Sequence, residues 1–177
     1  VTVKNFVDGD TVHFHVPESV MAGGVLKARF LAINTPESTG KIEEYGKAAS
    51  RFTREKLSAA TSIILESDND KWNADSTGGR YLVWVWYKTA DMTDYRNLNI
   101  EILQNGLAIA SNSSNNIYGD VAMAAISQAR AQKLNIYSGK ELFQLKGGKR
   151  FNALKYVHFF HRYQNIKGGK KDEFLGL

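Results

Sequence analysis

The chain contains no cysteine and only two prolines, and it has no long apolar segment. The absence of cysteine excludes disulfides and thiolate metal ligands. Its longest apolar run, residues 81–87, is far shorter than the ~20 residues that a helix needs to cross a bilayer. Within this sequence, a disulfide scaffold, a thiolate metal centre and a transmembrane helix are therefore excluded as the basis of function.

Positive charge is concentrated at one end of the chain. The net charge is +5, yet residues 139–177 alone contain nine Lys and Arg against three acids. Residues 1–138 are therefore close to neutral, and they are numerous enough to bury a core. We expect one domain at residues 1–138, followed at residues 139–177 by a basic extension that is partly helical. Such an extension favours a polyanion as partner. The alternatives are an ordinary extension packed on the domain and a piece of a second domain.

The hydrophobic pattern predicts an α+β domain. Extended segments are expected twice within residues 1–16, and then at residues 25–33, 61–66 and 80–87. Helical spacing of apolar residues predicts three helices, at residues 41–60, 94–105 and 120–133. Five strands with one inserted and two trailing helices suit a small closed or partly open barrel.

A polar turn follows the apolar segment at residues 28–33. Arg29 is the only charged residue of that segment, and Pro36 is expected to end the strand. The turn is rich in oxygen atoms, which come from Asn34, Thr35 and Glu37. A guanidinium beside such oxygens suits an anionic substrate held next to a hard cation such as calcium. The alternative is a solvated turn after a core strand.

Two further segments carry related chemistry. Asp8-Gly9-Asp10 is a tight-turn signal that places Asp10 at the start of a strand. Gly78 and Gly79 precede Arg80, which opens an apolar strand much as Arg29 does.

These segments resemble the thermonuclease family, that is, staphylococcal-nuclease-like domains. Six motifs in the same order carry the resemblance: Val-Asp-Gly-Asp-Thr (7–11), Arg-Phe-Leu-Ala-Ile-Asn-Thr-Pro-Glu (29–37), Tyr-Gly-Lys-Ala-Ala (45–49), Gly-Arg (79–80), Asn-Gly-Leu-Ala (105–108) and Ala-Gln-Lys-Leu-Asn-Ile-Tyr-Ser (131–138). The resemblance implies a five-stranded OB-fold β-barrel with three helices.

The resemblance also implies a calcium ion, held by Asp10 and the backbone carbonyl of Thr35. Where the family places a second calcium-binding aspartate, this chain has Asn34. An amide oxygen can ligate calcium but brings no charge, so we expect weaker metal binding.

In the implied reaction, Glu37 positions or deprotonates the attacking water, and Arg29 and Arg80 bind the scissile phosphate. The expected activity is calcium-dependent hydrolysis of DNA and RNA with little sequence specificity and a preference for single strands. By resemblance, cleavage of the P–O bond on the 5′ side yields 3′-phosphates. The resemblance further favours a monomer and a secreted or cell-envelope bacterial protein.

One departure concerns nucleotide binding. The family's base-stacking and phosphate-contacting tyrosines are replaced by Asn112 and Ser114. We expect a looser base pocket, or one built from Trp72, Tyr81 or Tyr118, with Tyr81 as a substrate-binding candidate. The alternative function is a catalytically weakened OB-fold module that binds nucleic acid or protein.

Overall fold

The computed structural model describes residues 1–112 and 115–138. The predicted extension at residues 139–177 and the position of Ser114 lie outside these ranges. The described part is an α+β fold, in which three α-helices accompany a mixed β-sheet. None of the described helices is long and apolar enough to cross a membrane.

The first three strands form an antiparallel meander. They are β1 (Thr2–Asp8), β2 (Thr11–His15) and β3 (Val25–Phe30). Val12 and Phe14 of β2 are fully buried, whereas His13 and His15 alternate with them on the outer face. This alternation fixes the register, because a shift by one residue would expose the apolar side chains.

Strand β6 (Tyr81–Lys88) joins the two halves of the sheet. Its first part pairs in parallel with β3, and its second part pairs antiparallel with β5 (Ser62–Glu66) and β7 (Arg96–Asn97). The resulting order is β1-β2-β3-β6-β5. A second, two-stranded sheet pairs β4 (Ile33–Asn34) with β8 (Ile109–Ala110).

Strand pairing among the described residues does not show a closed barrel, because no ladder joins β1 to β5. One hydrogen bond, from the Val1 ammonium to the Ile63 carbonyl oxygen (3.0 Å), connects these two edges. The main sheet is therefore mixed, and the fold is OB-like. Besides the five predicted strands, the structure contains three strands of two residues each, β4, β7 and β8.

The three predicted helices are present as α1 (Gly46–Ser58), α2 (Leu98–Gln104) and α3 (Gly119–Ala131). Two of them begin later than predicted. Helix α1 begins after Tyr45, whose φ of 65° is not helical. Helix α2 begins at Leu98 because Asn97 pairs with β6 and its side chain accepts a hydrogen bond from the Ile100 amide.

A fully buried asparagine of α2 holds the junction between β3 and β6. The Nδ2 atom of Asn99 donates to the carbonyl oxygens of Leu31 and Val83, at 2.9 and 3.0 Å. Its Oδ1 atom accepts from the amide of Val85, at 3.0 Å. At Val83 the parallel pairing of β6 with β3 ends, and the antiparallel pairing with β5 begins at the next residue. Asn99 satisfies the backbone groups at this point.

Candidate active site

The turn between β1 and β2 is clamped against α1. The hydroxyl of Thr53, which is fully buried, donates to the carbonyl oxygen of Gly9 at 2.6 Å. A Cβ atom on Gly9 would lie 2.9 Å from both the Ala49 Cβ and the Thr35 Oγ1 atoms. Only glycine therefore fits between helix and turn, and the clamp fixes the acidic residues on either side of Gly9.

Asp10 is buried and bonded through both carboxylate oxygens. Its Oδ2 atom accepts from the backbone amide of Thr35 (2.8 Å) and lies 3.1 Å from Arg29 Nη1. Its Oδ1 atom accepts from the Thr11 hydroxyl at 3.0 Å. The β1–β2 turn and the polar turn after β4 are thus joined through one carboxylate.

Arg29 contacts the second turn as well. Its Nη1 atom donates to the carbonyl oxygens of Phe30 and Ile33, and its Nη2 atom donates to the side-chain oxygen of Asn34 at 2.9 Å. The structure therefore brings together four of the predicted site residues: Asp10, Arg29, Asn34 and Thr35.

Arg80 approaches from the start of β6 and is held by Asp75. Its Nε and Nη2 atoms lie 2.6 and 2.5 Å from Asp75 Oδ2. The sequence interpretation did not include Asp75, although an acid five residues before Arg80 across a glycine pair was a visible signal. A weaker contact of 3.4 Å joins Arg80 Nη1 to the Thr11 hydroxyl, so Thr11 and Asp10 connect the two guanidiniums.

The Asp75 carboxylate is 7% exposed and is itself well bonded. Burial acts to raise the pKa of Asp75, but hydrogen bonds from Thr77 and Arg80, together with the charge of Arg80, outweigh it and lower the pKa. Asp75 therefore stays ionised beside Arg80 at neutral pH.

Glu37 lies in an acidic environment. Burial raises the pKa of Glu37, and so do the charge of Asp8, a hydrogen bond to Asp8, and the charges of Asp10 and Glu43. Asp8 is in turn bonded by the Gly9 amide (2.7 Å) and the Ser38 hydroxyl (2.6 Å). Asp8 belongs to one of the recognised motifs but was not predicted as a site residue.

A pocket of about 330 Å³ opens between the two arginines. Arg29 and Arg80 both line it, together with Leu82 from β6 and the polar side chains Ser76, Ser111, Asn112 and Asn116. Among the described residues that line it, Phe30 is the only aromatic one. The pocket thus combines two guanidiniums with amides and hydroxyls.

The aromatic residues proposed for a base pocket lie elsewhere. The ring of Tyr118 packs edge-on against Trp84 and Trp86, with centroid distances of 5.1 and 5.6 Å, and its hydroxyl donates to Glu66. Trp72 and Tyr81 are half-buried and pack against the core, and neither lines the pocket.

The oxygen atoms near Asp10 have the chemistry of a hard-cation site. They are the Asp10 carboxylate, the Asn34 amide and the Thr35 hydroxyl, which is buried and has no hydrogen-bond partner among the described residues. Oxygen donors of this kind fit calcium or magnesium. Within residues 1–112 and 115–138, however, no group of three or more His, Cys, Asp or Glu is arranged to hold a metal.

Comparisons with known proteins find a matching family and a similar protein. Residues 27–139 match the family described as staphylococcal nuclease homologue. The chain is also similar to a thermonuclease of Staphylococcus intermedius, with 30% identity over 139 residues, which are 76% of this chain and 74% of that protein. The family match covers Arg29, Glu37 and Arg80, whereas Asp10 precedes it.

Proposed function

The chain belongs to the family of staphylococcal nuclease homologues, and we propose that it hydrolyses phosphodiester bonds of DNA and RNA. The observation that carries this proposal is the pair of guanidiniums, Arg29 and Arg80, on one pocket beside the buried carboxylate of Asp10. A single-strand preference, cleavage giving 3′-phosphates, a monomeric state and secretion, all expected from the resemblance, are finer parts of the same proposal.

In this mechanism the two arginines bind the scissile phosphate. Hydrolysis places extra negative charge on a five-coordinate phosphorus, and preorganised donors stabilise it. The planar forks of Arg29 and Arg80 match phosphate oxygens, which a lysine would not do with two parallel hydrogen bonds. Asp10, Asn34 and Asp75 hold both forks at the pocket, so little reorganisation is needed when a substrate arrives.

Glu37 is the group that acts on water. Its carboxylate would accept a proton from the attacking water or fix its direction of approach, while Arg80 would stabilise the departing 5′-oxygen. The backbone of Glu37 is held on one side by Glu43, whose Oε2 atom accepts from the Glu37 amide at 3.0 Å.

We propose Asp10, Asn34 and the Thr35 carbonyl as the residues that would hold calcium. When bound there, the ion would supply positive charge to the phosphate oxygens. The sequence-based expectation of weak binding, because Asn34 is uncharged, belongs to this proposal.

Replacing Asn34 by aspartate tests the metal assignment. We expect Asn34→Asp to tighten calcium binding by about tenfold, because ligand charge tunes affinity. Isothermal titration calorimetry with calcium alone measures this directly. Asn112→Asp adds the same charge at a residue that lines the pocket and serves as the control. Equal affinities of Asn34→Asp and the unmodified protein would remove Asn34 from the metal site.

The reaction is tested with heat-denatured DNA while calcium is raised from zero to several millimolar. Cleavage that requires calcium and falls by about 100-fold or more in Arg80→Ala supports the proposal. Lys88→Ala, on the same strand but remote from the pocket, is the control for loss of a positive charge.

A second candidate function is a binding module without catalysis. It is favoured by Asn34, by the Asn112 and Ser114 that stand where the family has tyrosines, and by the polar side chains that line the pocket. DNA binding without cleavage at any calcium concentration would establish this reading in place of the nuclease.

A further inference from the structure

Positive charge continues from Arg29 along the outer face of the sheet. Lys27 and Arg29 are two residues apart on β3, so both side chains point to the same face. The residues that alternate with them on β3, Leu26, Ala28 and Phe30, are at most 1% exposed and face the core. Lys27 is exposed, and by strand geometry its Cα lies about 6.6 Å from that of Arg29.

The two neighbouring strands extend this face. The β2–β3 register places His13 opposite Lys27, next to the pair formed by Thr11 and Arg29. On β1, Asn5 is opposite His13, and the ladder is irregular between Val3 and Asn5. Lys4 occupies that irregularity and is exposed.

The positive charges of Lys4 and Lys27 both affect His13. Burial lowers the pKa of His13, and the positive charges of Lys27 and Lys4 lower it further. By register, His13 on β2 lies between the strands that carry the two lysines.

Acidic side chains are missing from this part of the sheet. Residues 11–15 and 25–30 contain no Asp or Glu. The ion pairs found among the described residues involve Arg29, Arg80 and Arg96, and neither Lys4 nor Lys27 takes part in one. Because residues 1–138 are close to neutral, this run of positive charge is a local excess and not the average of the surface.

We propose that Lys4 and Lys27, here called the cationic strip, bind the phosphates of a single-stranded polynucleotide that flank the one held by Arg29, with His13 on the strand between theirs. This inference rests on the proposed function, because it takes the Arg29 pocket as the place of the scissile phosphate. A polynucleotide is the favoured occupant since the strip is continuous with that pocket, and a chain of phosphates can follow both. Flexible lysines suit such contacts, which need charge but no fixed fork geometry.

The strip is tested by the salt dependence of binding. The full chain, its Lys4→Gln/Lys27→Gln variant and a control Lys56→Gln/Lys88→Gln variant are titrated into a labelled single-stranded DNA of about 20 nucleotides. Fluorescence anisotropy is read at 50 to 200 mM NaCl with a chelator present. The control ammonium groups lie over the rings of Phe52 and Tyr95 (5.1 and 6.0 Å). All variants keep residues 139–177, so the contribution of these residues cancels.

Loss of two phosphate contacts should reduce the slope of log affinity against log salt by about 1.4. Between 50 and 200 mM salt, the strip variant should then lose about sevenfold less affinity than the unmodified protein. A single-stranded RNA of equal length should show the same change, because the contacts are to phosphates. The inference is overturned if the slope stays the same, as it would if an acidic protein were the true partner, or if it falls equally in the control.

A separate readout distinguishes this inference from the proposed function. The strip variant should cleave a dinucleotide at the unmodified rate, because a dinucleotide has no flanking phosphates. If no variant cleaves any substrate but the slope change is found, the nuclease proposal fails and the strip stands. If dinucleotide and long strand are cleaved with unchanged KM by the strip variant, the strip fails and the nuclease proposal stands.

Discussion

At the scale of single residues, Arg80 depends on Asp75 for its position. Nε and Nη2 both donate to one carboxylate oxygen of Asp75, and that carboxylate is fixed by Thr77 through its amide (3.1 Å) and hydroxyl (2.6 Å). Asp75 thus acts through Arg80, as a positioning residue that need not touch the substrate.

We expect Asp75→Asn to lower kcat by about 100-fold, because a misplacement of about 1 Å has effects of that size. Asp75→Glu retains the carboxylate and should recover part of the rate. The exposed Asp70 of the same loop supplies the control, Asp70→Asn. An Asp75→Asn variant with full turnover would show that Arg80 is positioned without it.

Asp75 also makes stability depend on pH. Its folded pKa lies below the ordinary value of 3.8, so the ionised carboxylate stabilises the folded protein above that value. This contribution is lost as the pH falls through the lowered folded pKa. In urea unfolding, Asp75→Asn should be less stable than the unmodified protein at pH 6, and the gap should narrow towards pH 3. A gap of constant size would contradict the assignment.

Residues differed in how well the sequence predicted them. Arg29, Asn34, Thr35 and Asp10 lie together, because three of them are close in the chain, on β3, on β4 and in the turn after β4. Asp8 was missed because its partner Ser38 is 30 residues away in the chain, whereas Asp75 is only five residues from Arg80 and could have been found. Asn99 was missed as well, because its partners Leu31, Val83 and Val85 are distant in the chain and the residues around Asn99 give no sign of them.

At the scale of elements, the start of α1 is shaped around the backbone of Glu37. A Cβ atom on Gly46 would lie 2.0 Å from the Glu37 carbonyl oxygen and 2.6 Å from its carbonyl carbon. Glycine at this position therefore serves the contact between helix and turn, at a cost in helix propensity.

Gly46→Ala should destabilise the protein by about 1–3 kcal/mol, the range for an overpacked contact, although alanine is the better helix former. It should also lower kcat, because the Glu37 backbone has to move. Urea denaturation and cleavage rates measure the two effects, with Lys47→Ala at the neighbouring exposed position as control. Greater stability of Gly46→Ala would mean that the close approach is absent.

Element types were predictable, whereas element bounds were less so. The periodicity of apolar residues correctly indicated all three helices of the described chain and the five longer strands. The helix predicted at residues 41–60 begins at Gly46 in the structure. Residues 41–45 belong instead to the loop that follows Glu37. The three two-residue strands carry too short a pattern to be recognised and exist only through their partners.

At the scale of the whole molecule, Asn99 joins α2 to the junction between β3 and β6. Asn99→Ala would leave the Val85 amide and the Leu31 carbonyl without this partner inside the core. We expect a loss of about 3 kcal/mol, since each unsatisfied buried group costs about 1–3 kcal/mol. Equilibrium urea unfolding is the measurement, and Gln104→Ala on the same helix is the control. A loss as small as that of the control would show that water replaces the asparagine.

The parallel pairing of β3 with β6 also sets an order of events in time. Residues 31–80 separate the two strands, and closing a loop of that length is entropically costly and slow compared with forming the β1–β3 meander. A chain with only its first strands in place already holds Asp10 beside Arg29, but Arg80 joins them only when β6 docks. We therefore expect the proposed phosphodiesterase activity to appear only after β6 has docked on β3.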